Sequence, residues 1–187
     1  IEQRDLGTTR RGAGEGSNIP LAKMGDITRG EIRLGANERI EYADDIKDLL
    51  LKKGDILFNT RNTPSLVGKT AIFVSSMRCC YDNNLMRIRL VPWVSPWFLN
   101  HLMNSPRFLQ ILSSISSGTT SVAAIYWNDL KRIRIPLPSL SRQQQLADSI
   151  DAVIEVISGV SSAISSLEKT RSAISADLLS GRKRVSV

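Results

Sequence analysis

The sequence predicts an α+β domain of mixed short strands and helices, followed by one long coiled-coil-type helix. Three observations predict it. Short β-prone runs lie far apart in the chain, two proline-marked helix starts stand between them, and the patterning changes after Ser141 to a seven-residue apolar repeat. The expected division is 1–141 for the globular domain and 142–187 for the helix with its basic tail.

The strands come first. "ILFNT" (Ile56–Thr60), "KTAIFV" (Lys69–Val74) and "LMRIRL" (Leu85–Leu90) are compact or alternating apolar runs bounded by Gly, Pro and Asn. "RIRIPL" (Arg132–Leu137) alternates strictly until proline stops it, and reads as a further strand. Between them, Ser95-Pro96 and Ser105-Pro106 each place a capping hydroxyl before a proline in a first helical turn. "PWFLNHLM" and "PRFLQILSSI" then carry apolar residues at helical spacing. His101, on the first of these, reads as a polar-face or hydrogen-bonded histidine.

Beyond Pro136, Pro138 and Ser141 the period is that of a heptad. Leu146, Ile150, Val153, Ile157, Val160, Ile164, Leu167, Arg171, Ile174 and Leu178 follow in alternating steps of four and three. A seam of that length extends about 50 Å at 1.5 Å per residue. A small domain cannot cover so long and narrow a stripe, so the helix, expected over about Gln143 to Ser180, calls for another helix. Gly181 with the basic residues after it is a suitable C-terminal stop.

The chain has 187 residues and a net charge of +7, unevenly spread. Residues 1–141 hold 19 Lys/Arg against 13 Asp/Glu, or +6; residues 142–180 hold 3 against 5, or −2; the tail 181–187 adds +3. A basic domain beside a mildly acidic helix points to a polyanionic partner for the former. Adjacent Cys79 and Cys80 close no useful loop, which fits a reducing cytoplasm. No signal peptide is recognisable, and the apolar runs are too short for a bilayer, so no membrane partner is expected. Ile1 in place of methionine points to a fragment or a processed chain.

No stretch of the sequence completes a catalytic or cofactor-binding motif. "TPSLVGKT" (Thr63–Thr70) ends like a phosphate-binding loop, but Thr63 stands where the first glycine belongs and Pro64 removes an N–H donor. "DNNL" (Asp82–Leu85) is not the Asn/Asp-Pro-Pro-aromatic tetrapeptide of amino-methyltransferases. "RGAGEG" (Arg11–Gly16) has spaced glycines but no apolar strand before it, and reads as a loop. Glu38, Glu41, Asp44, Asp45 and Asp48 are interleaved with Arg39 and Lys47, as on a solvated helix face. A single histidine and no Cys/His spacing argue against a metal. No catalytic residue, metal or cofactor is assigned; the chain is expected to bind rather than react.

Four stretches in order resemble the specificity subunit of type I restriction-modification systems. They are "LKKGDILFNTRNTPSLVGKTAIF", "SPWFLNHLMNSPRFLQIL", "SSGTTSVAAIYWNDLKRIRIPLPSLSRQQQLADSID" and "LLSGRKRV". The first holds the family's Gly-Asp-Ile-Leu and Val-Gly-Lys, the third its Gly-Thr loop, Pro-Leu-Pro and Gln-bearing helix start. The resemblance runs from about Ile19 onward. It departs at Arg142, where the family usually has Glu, and this bears on a local capping contact.

A full subunit of that family carries two target recognition domains, each followed by a long conserved helix, with the helices antiparallel. The resemblance therefore implies half a subunit. It would read one half of an interrupted double-stranded DNA target and pair through antiparallel helices with a second half subunit or a copy of itself. The helices would dock methyltransferase (modification) subunits, with restriction subunits in the assembled complex. Antiparallel pairing would put the two recognition domains at opposite ends, about one helix length apart.

On this reading Val-Gly-Lys is a hairpin turn that needs Gly68, and the loop Asn59–Asn62 is a candidate for reaching DNA. Arg61 can pair with guanine O6/N7, and Asn59 or Asn62 with adenine N6/N7. Thr119 and Thr120 are candidates for phosphate or base-edge contacts. Arg10, Arg11, Lys23, Arg29 and Lys69 are cast as phosphate contacts, which position without specifying. Two other functions remain open: a protein–protein assembly module built on the coiled coil, and the recognition portion of a larger fused restriction-methylation enzyme.

Overall fold

The computed structural model describes residues 1–12, 18–35, 38–119 and 121–181. It divides into two units, Ile1–Gln145 and Leu146–Val187. In chain order the first carries β1 (Gln3–Leu6), β2 (Ile19–Ala22), β3 (Gly30–Glu31), β4 (Arg39–Ile40), β5 (Ile56–Asn59) and β6 (Arg61–Asn62). Then follow β7 (Thr70–Ile72), β8 (Cys80–Tyr81), β9 (Leu85–Arg89), α1 (Pro96–Asn104), α2 (Pro106–Ile115), β10 (Ser117–Gly118), β11 (Ala123–Ala124) and the short α3 (Trp127–Leu130). The long helix α4 spans Leu140–Leu179. The protein is α+β.

The central sheet has the order β1-β9-β5-β7-β3, antiparallel except for the parallel edge pair β3–β7. Alternation divides its side chains between two cores. Ile56, Phe58, Met86 and Ile88 meet Leu99 and Met103 of α1 and Phe108 and Leu112 of α2. Leu57, Ala71 and Leu85 face the other way, toward Ala22, Ile27, Leu51, Phe73 and Tyr81. A second sheet, β4-β2-β8, supplies Leu21, Ile40 and Cys80 to a third cluster with Ile46. Each fully buried Leu, Ile or Phe contributes about 1.5–3 kcal/mol before chain entropy is set against it.

The two capped helices form as the Ser-Pro pairs predict. Ser95 Oγ accepts from the Phe98 N–H and Ser105 Oγ from the Phe108 N–H, both at 3.4 Å. The Thr63–Thr70 stretch is the β5–β7 hairpin connection. Gly68 takes φ +79°, and its N–H donates to Asn59 O at 2.9 Å. A Cβ there would lie 2.9 Å from Leu112 Cδ1, so both backbone and packing demand glycine.

One expected strand is absent. Residues Arg132–Leu137 form no strand. Ile133 and Ile135 pack against the first core while the arginines stay exposed, so the alternation reports one-sided burial without a ladder, and Pro136 and Pro138 lack N–H groups to build one. The acidic stretch does carry exposed Asp44, Asp45, Lys47 and Asp48 on a helix, which is of the 3-10 kind. Asp44–Leu49 is a 3-10 helix with Ile46 fully buried, and Glu38 and Asp45 are ion-paired.

Ionic pairs run across the central sheet. The wholly buried Arg87 of β9 donates to Asp5 Oδ2 at 2.6 Å and to Asp48 O at 2.7 Å, and its guanidinium lies 5.8 Å from the Tyr81 ring centroid. Arg89 forks onto Asp55 at 2.9 and 2.7 Å. Removing one partner of such a pair strands the other charge in the interior.

The start of α4 belongs to the first unit. The Gln143 side chain is buried: Oε1 accepts from the Ser95 N–H at 2.8 Å, and Nε2 donates to Pro138 O at 2.8 Å and Trp93 O at 3.2 Å. Ser139 Oγ accepts the Arg142 N–H at 3.4 Å, so a hydroxyl serves the helix start where Arg142 replaces the family's Glu.

The second unit is the rest of α4 with its C-terminal turn. Its seam residues Ile150, Val153, Ile157, Val160, Ile164, Leu167, Ile174 and Leu178 are all exposed, Leu167 by 69%. By length and composition alone, one stretch of α4 is apolar enough to cross a membrane, which corrects the expectation that every apolar segment is too short. Averaging over Ala, Ser and the seam produces that result without any long unbroken apolar run.

Candidate nucleic-acid interface

The segments read as DNA-facing lie far apart in sequence and meet in one small sheet. Its order is β10-β11-β6, with Arg61 opposite Ala124, Asn62 opposite Ala123, and Ser117 and Gly118 opposite Ala124 and Ala123. The Ile125 N–H donates to Thr60 O at 2.9 Å, and the Thr60 N–H and hydroxyl both donate to Asn84 O, at 3.0 and 2.8 Å. Three loops are thereby fixed to one another by main-chain bonds.

Arg61 projects from this sheet, exposed, and its guanidinium makes no hydrogen bond or ion pair among the described residues. Asn62 is half-buried and its Oδ1 accepts the Thr63 N–H at 2.8 Å. Thr119 is exposed at the β10–β11 tip, where its N–H donates to Val122 O at 2.7 Å and its Oγ1 accepts the Val122 N–H at 3.2 Å. Gly118, at φ +146°, makes that tip possible: a Cβ would fall 2.1 Å from Val122 O. Thr120 lies outside the described residues.

Asn59 is a correction. Its side chain is fully buried, Oδ1 accepts the Arg61 N–H at 3.3 Å and Nδ2 has no partner among the described residues, so it shapes the loop from inside and does not reach outward. Three phosphate candidates are also occupied within the chain. Arg10 pairs with Asp45 at 2.8 Å, Arg11 with Asp82 at 2.8 Å, and Lys23 with Glu38. The Arg10 guanidinium holds the Asp45 carboxyl below its usual pKa, and the Lys23 ammonium does the same for Glu38. The exposed Arg10–Asp45 pair is screened by salt, whereas Asp82 is buried beneath Arg11, and at each position a phosphate would have to compete with the carboxylate. Arg29 is exposed with a long 3.5 Å contact to Ser65 O, and the ammonium of half-buried Lys69 makes no hydrogen bond or ion pair among the described residues.

Sequence reasoning missed a second feature. Beside the small sheet lies a groove of about 470 Å³ with Arg4, Arg61, Tyr126 and Trp127 among its walls. The Arg4 guanidinium stands 4.9 Å from the Trp127 ring centroid, and Tyr126 is 56% exposed. The one signal available was the adjacent aromatic pair Tyr126-Trp127, followed by the polar Asn128-Asp129. Among the described residues no group of three or more His, Cys, Asp or Glu is arranged to hold a metal ion. The buried Cys79 and Cys80 thiols are pushed up to about 12 and about 11, first of all by desolvation, which makes them poor nucleophiles.

The first unit thus combines a mixed central sheet with a small sheet whose loops are tied together by main-chain bonds, and the chain continues into a long helix with a repeating seam. The chain belongs to the family of type I restriction-modification DNA specificity domains, whose family model matches residues 13–168. A Methanocaldococcus jannaschii sequence assigned as the specificity subunit of the type I restriction enzyme MjaX is 26% identical over 159 residues, 81% of this chain and 37% of that one.

Solved structures share the fold. A chain from a study of complex assembly and conformational transition in the type I R-M system superposes with a TM-score of 0.68 at 19% identity, over 91% of this chain and 40% of that one. The HsdS subunit from Thermoanaerobacter tengcongensis gives 0.58 at 18% identity, over 86% and 37% respectively. The chain thus spans about two fifths of the length of these relatives.

Proposed function

We propose that this chain is a non-catalytic, sequence-specific DNA-recognition module that reads one half of a bipartite target. One observation carries the reading: Arg61 and the Ser117–Thr119 tip, more than fifty residues apart in sequence, belong to one rigid sheet with the Arg61 guanidinium uncommitted. A planar fork of N–H donors on a rigid base is what a guanine edge requires. Arg29 and Lys69 then serve as phosphate contacts, and Thr119 as a contact at the sheet's tip.

The exposed seam of α4 supports pairing with a second such helix, from another half subunit or a copy of this chain, and docking of methyltransferase subunits on the pair. Lipid is the less suitable cover. A membrane span is apolar all round, whereas the faces flanking this seam carry Ser158, Ser161, Ser162, Ser165, Ser166, Glu168 and Lys169. The pairing is antiparallel, because a parallel register would set Arg171 against Arg171. The antiparallel one brings it to the level of Leu146–Ile150, where Asp148 and Asp151 stand nearby. A cytoplasmic location follows from this role.

The test is binding to duplex DNA across a salt series. Log affinity should fall linearly with log salt, and Arg61→Ala should cost about 1–3 kcal/mol on the preferred sequence with little change on random duplex. An equal loss on both would make Arg61 a phosphate contact, and salt-independent binding would remove the DNA reading.

A further inference from the structure

We propose that the groove beside the small sheet is a second DNA subsite, in which Arg4, held over the Trp127 ring, reads a guanine edge while Tyr126 packs against the neighbouring sugar and base. The inference rests on the reading of the chain as a DNA-recognition module and adds residues that reading does not use.

Alternation along β1 aims Arg4. Its neighbours turn to the opposite face, where Asp5 accepts from Arg87 at 2.6 Å and Gln3 from Arg89 at 3.0 Å. Arg4 and Leu6 line the groove instead. Stacking at 4.9 Å from the Trp127 centroid restricts the long side chain while leaving the edge donors of its guanidinium free for a second partner. No hydrogen bond or ion pair to Arg4's side chain exists among the described residues, in contrast to Arg10, Arg11 and Lys23, which are paired with carboxylates.

The groove has the charge and rigidity of a polyanion site. Its walls include two arginines and no aspartate or glutamate. Its floor is held by the bonds that tie Thr60 to Asn84 and Ile125. Tyr126 and Asn128 stand exposed at its edge, their side chains making no hydrogen bond among the described residues. An aromatic ring this open beside an uncommitted guanidinium offers stacking and donor contacts together, the combination that nucleotides use. Arg61 lines both the groove and the small sheet, so the two surfaces are continuous and a single duplex can lie across them.

The experiment uses the full chain and a pool of duplexes with a randomised centre. Bound duplexes are sequenced, and affinities are then measured on the enriched duplex and on a scrambled one, for the unmodified chain and for Arg4→Lys and Tyr126→Ala. Both positions are exposed, and thermal melts of the variants confirm the fold. Lysine keeps the charge but has neither the planar stack nor the bidentate edge.

The expected result is that Arg4→Lys loses its preference at one G·C pair of the motif and binds the enriched duplex on the order of tenfold to a hundredfold more weakly. Its affinity for the scrambled duplex should hardly change. Tyr126→Ala should weaken the enriched duplex and keep the motif. An unchanged motif and affinity for Arg4→Lys, or equal losses on both duplexes, would overturn the subsite while leaving the Arg61 reading standing. No motif at all for the unmodified chain would remove the DNA reading and this subsite with it.

Discussion

At the scale of single residues, the positions that matter most are those where only one side chain fits. Gly68 is one: its φ of +79° is strained for any residue with a Cβ, and the space beside it is filled by Leu112 and Ile125. Gly68→Ala is expected to destabilise the first unit by about 1–3 kcal/mol in urea unfolding, because left-handed strain and the clash act together. Asp45 and Glu38 make a second expectation. Both carboxyls lie below their ordinary values of 3.8 and 4.5, so their ion pairs stabilise the fold fully above about pH 4.5 and lose that contribution as pH falls through the lowered values. Melting temperatures should therefore drop on the acid side, and less steeply in Asp45→Asn, which has no carboxyl to titrate. A chain whose acid response is identical in that variant would show the Arg10–Asp45 pair to be without effect.

What could be read at this scale followed sequence distance. The turn at Gly68 and the caps Ser95 and Ser105 act within a few residues of themselves, and the sequence displays those roles, though not the packing of Leu112 and Ile125 on Gly68. Arg10 and Asp45 are 35 residues apart, and Arg87 and Asp5 are 82 apart. Nothing local announces such pairs, so Arg10 reads as a free phosphate contact and Arg87 as a strand residue of no special role. Asn59 fails for a related reason: a polar residue at a loop's start reads as outward-facing, and only the packed structure shows it turned in.

At the scale of elements, the long helix and the alternating run before it make a contrast. The seam of α4 is legible because a heptad repeat is a local pattern with one geometric meaning. The alternation at Arg132–Leu137 has two, since a strand and an extended segment lying on a core bury every second residue alike. The account expects α4 to pair through its exposed seam, where each buried Leu, Ile or Val contributes about 1.5–3 kcal/mol before entropy is set against it. Changing Val160 and Ile164 together to aspartate should give monomers in sedimentation equilibrium and abolish methyltransferase docking, with the strand signature of the first unit unchanged in circular dichroism. Monomers of the unmodified chain at micromolar concentration, or parallel helices, would contradict this.

At the scale of the whole molecule, net charge suggests a kind of partner but not a location on the surface. The +6 balance of residues 1–141 indicates a polyanion-facing domain, yet three of the basic residues first singled out are tied to carboxylates, and the uncommitted guanidiniums of Arg4 and Arg61 gather at one groove. Family membership accounts for the order of the motifs, while the path of the duplex depends on how separate loops are stapled together. The central claim is that this chain decides which DNA sequence a partner methyltransferase modifies. Its most direct test is to map methylated bases across the genome of cells carrying the encoding gene and of cells lacking it. The account predicts a two-part interrupted motif methylated only when the gene is present, with one half of the motif altered by Arg61→Ala. An identical methylation map with and without the gene, in cells that express the methyltransferase subunit, would contradict it.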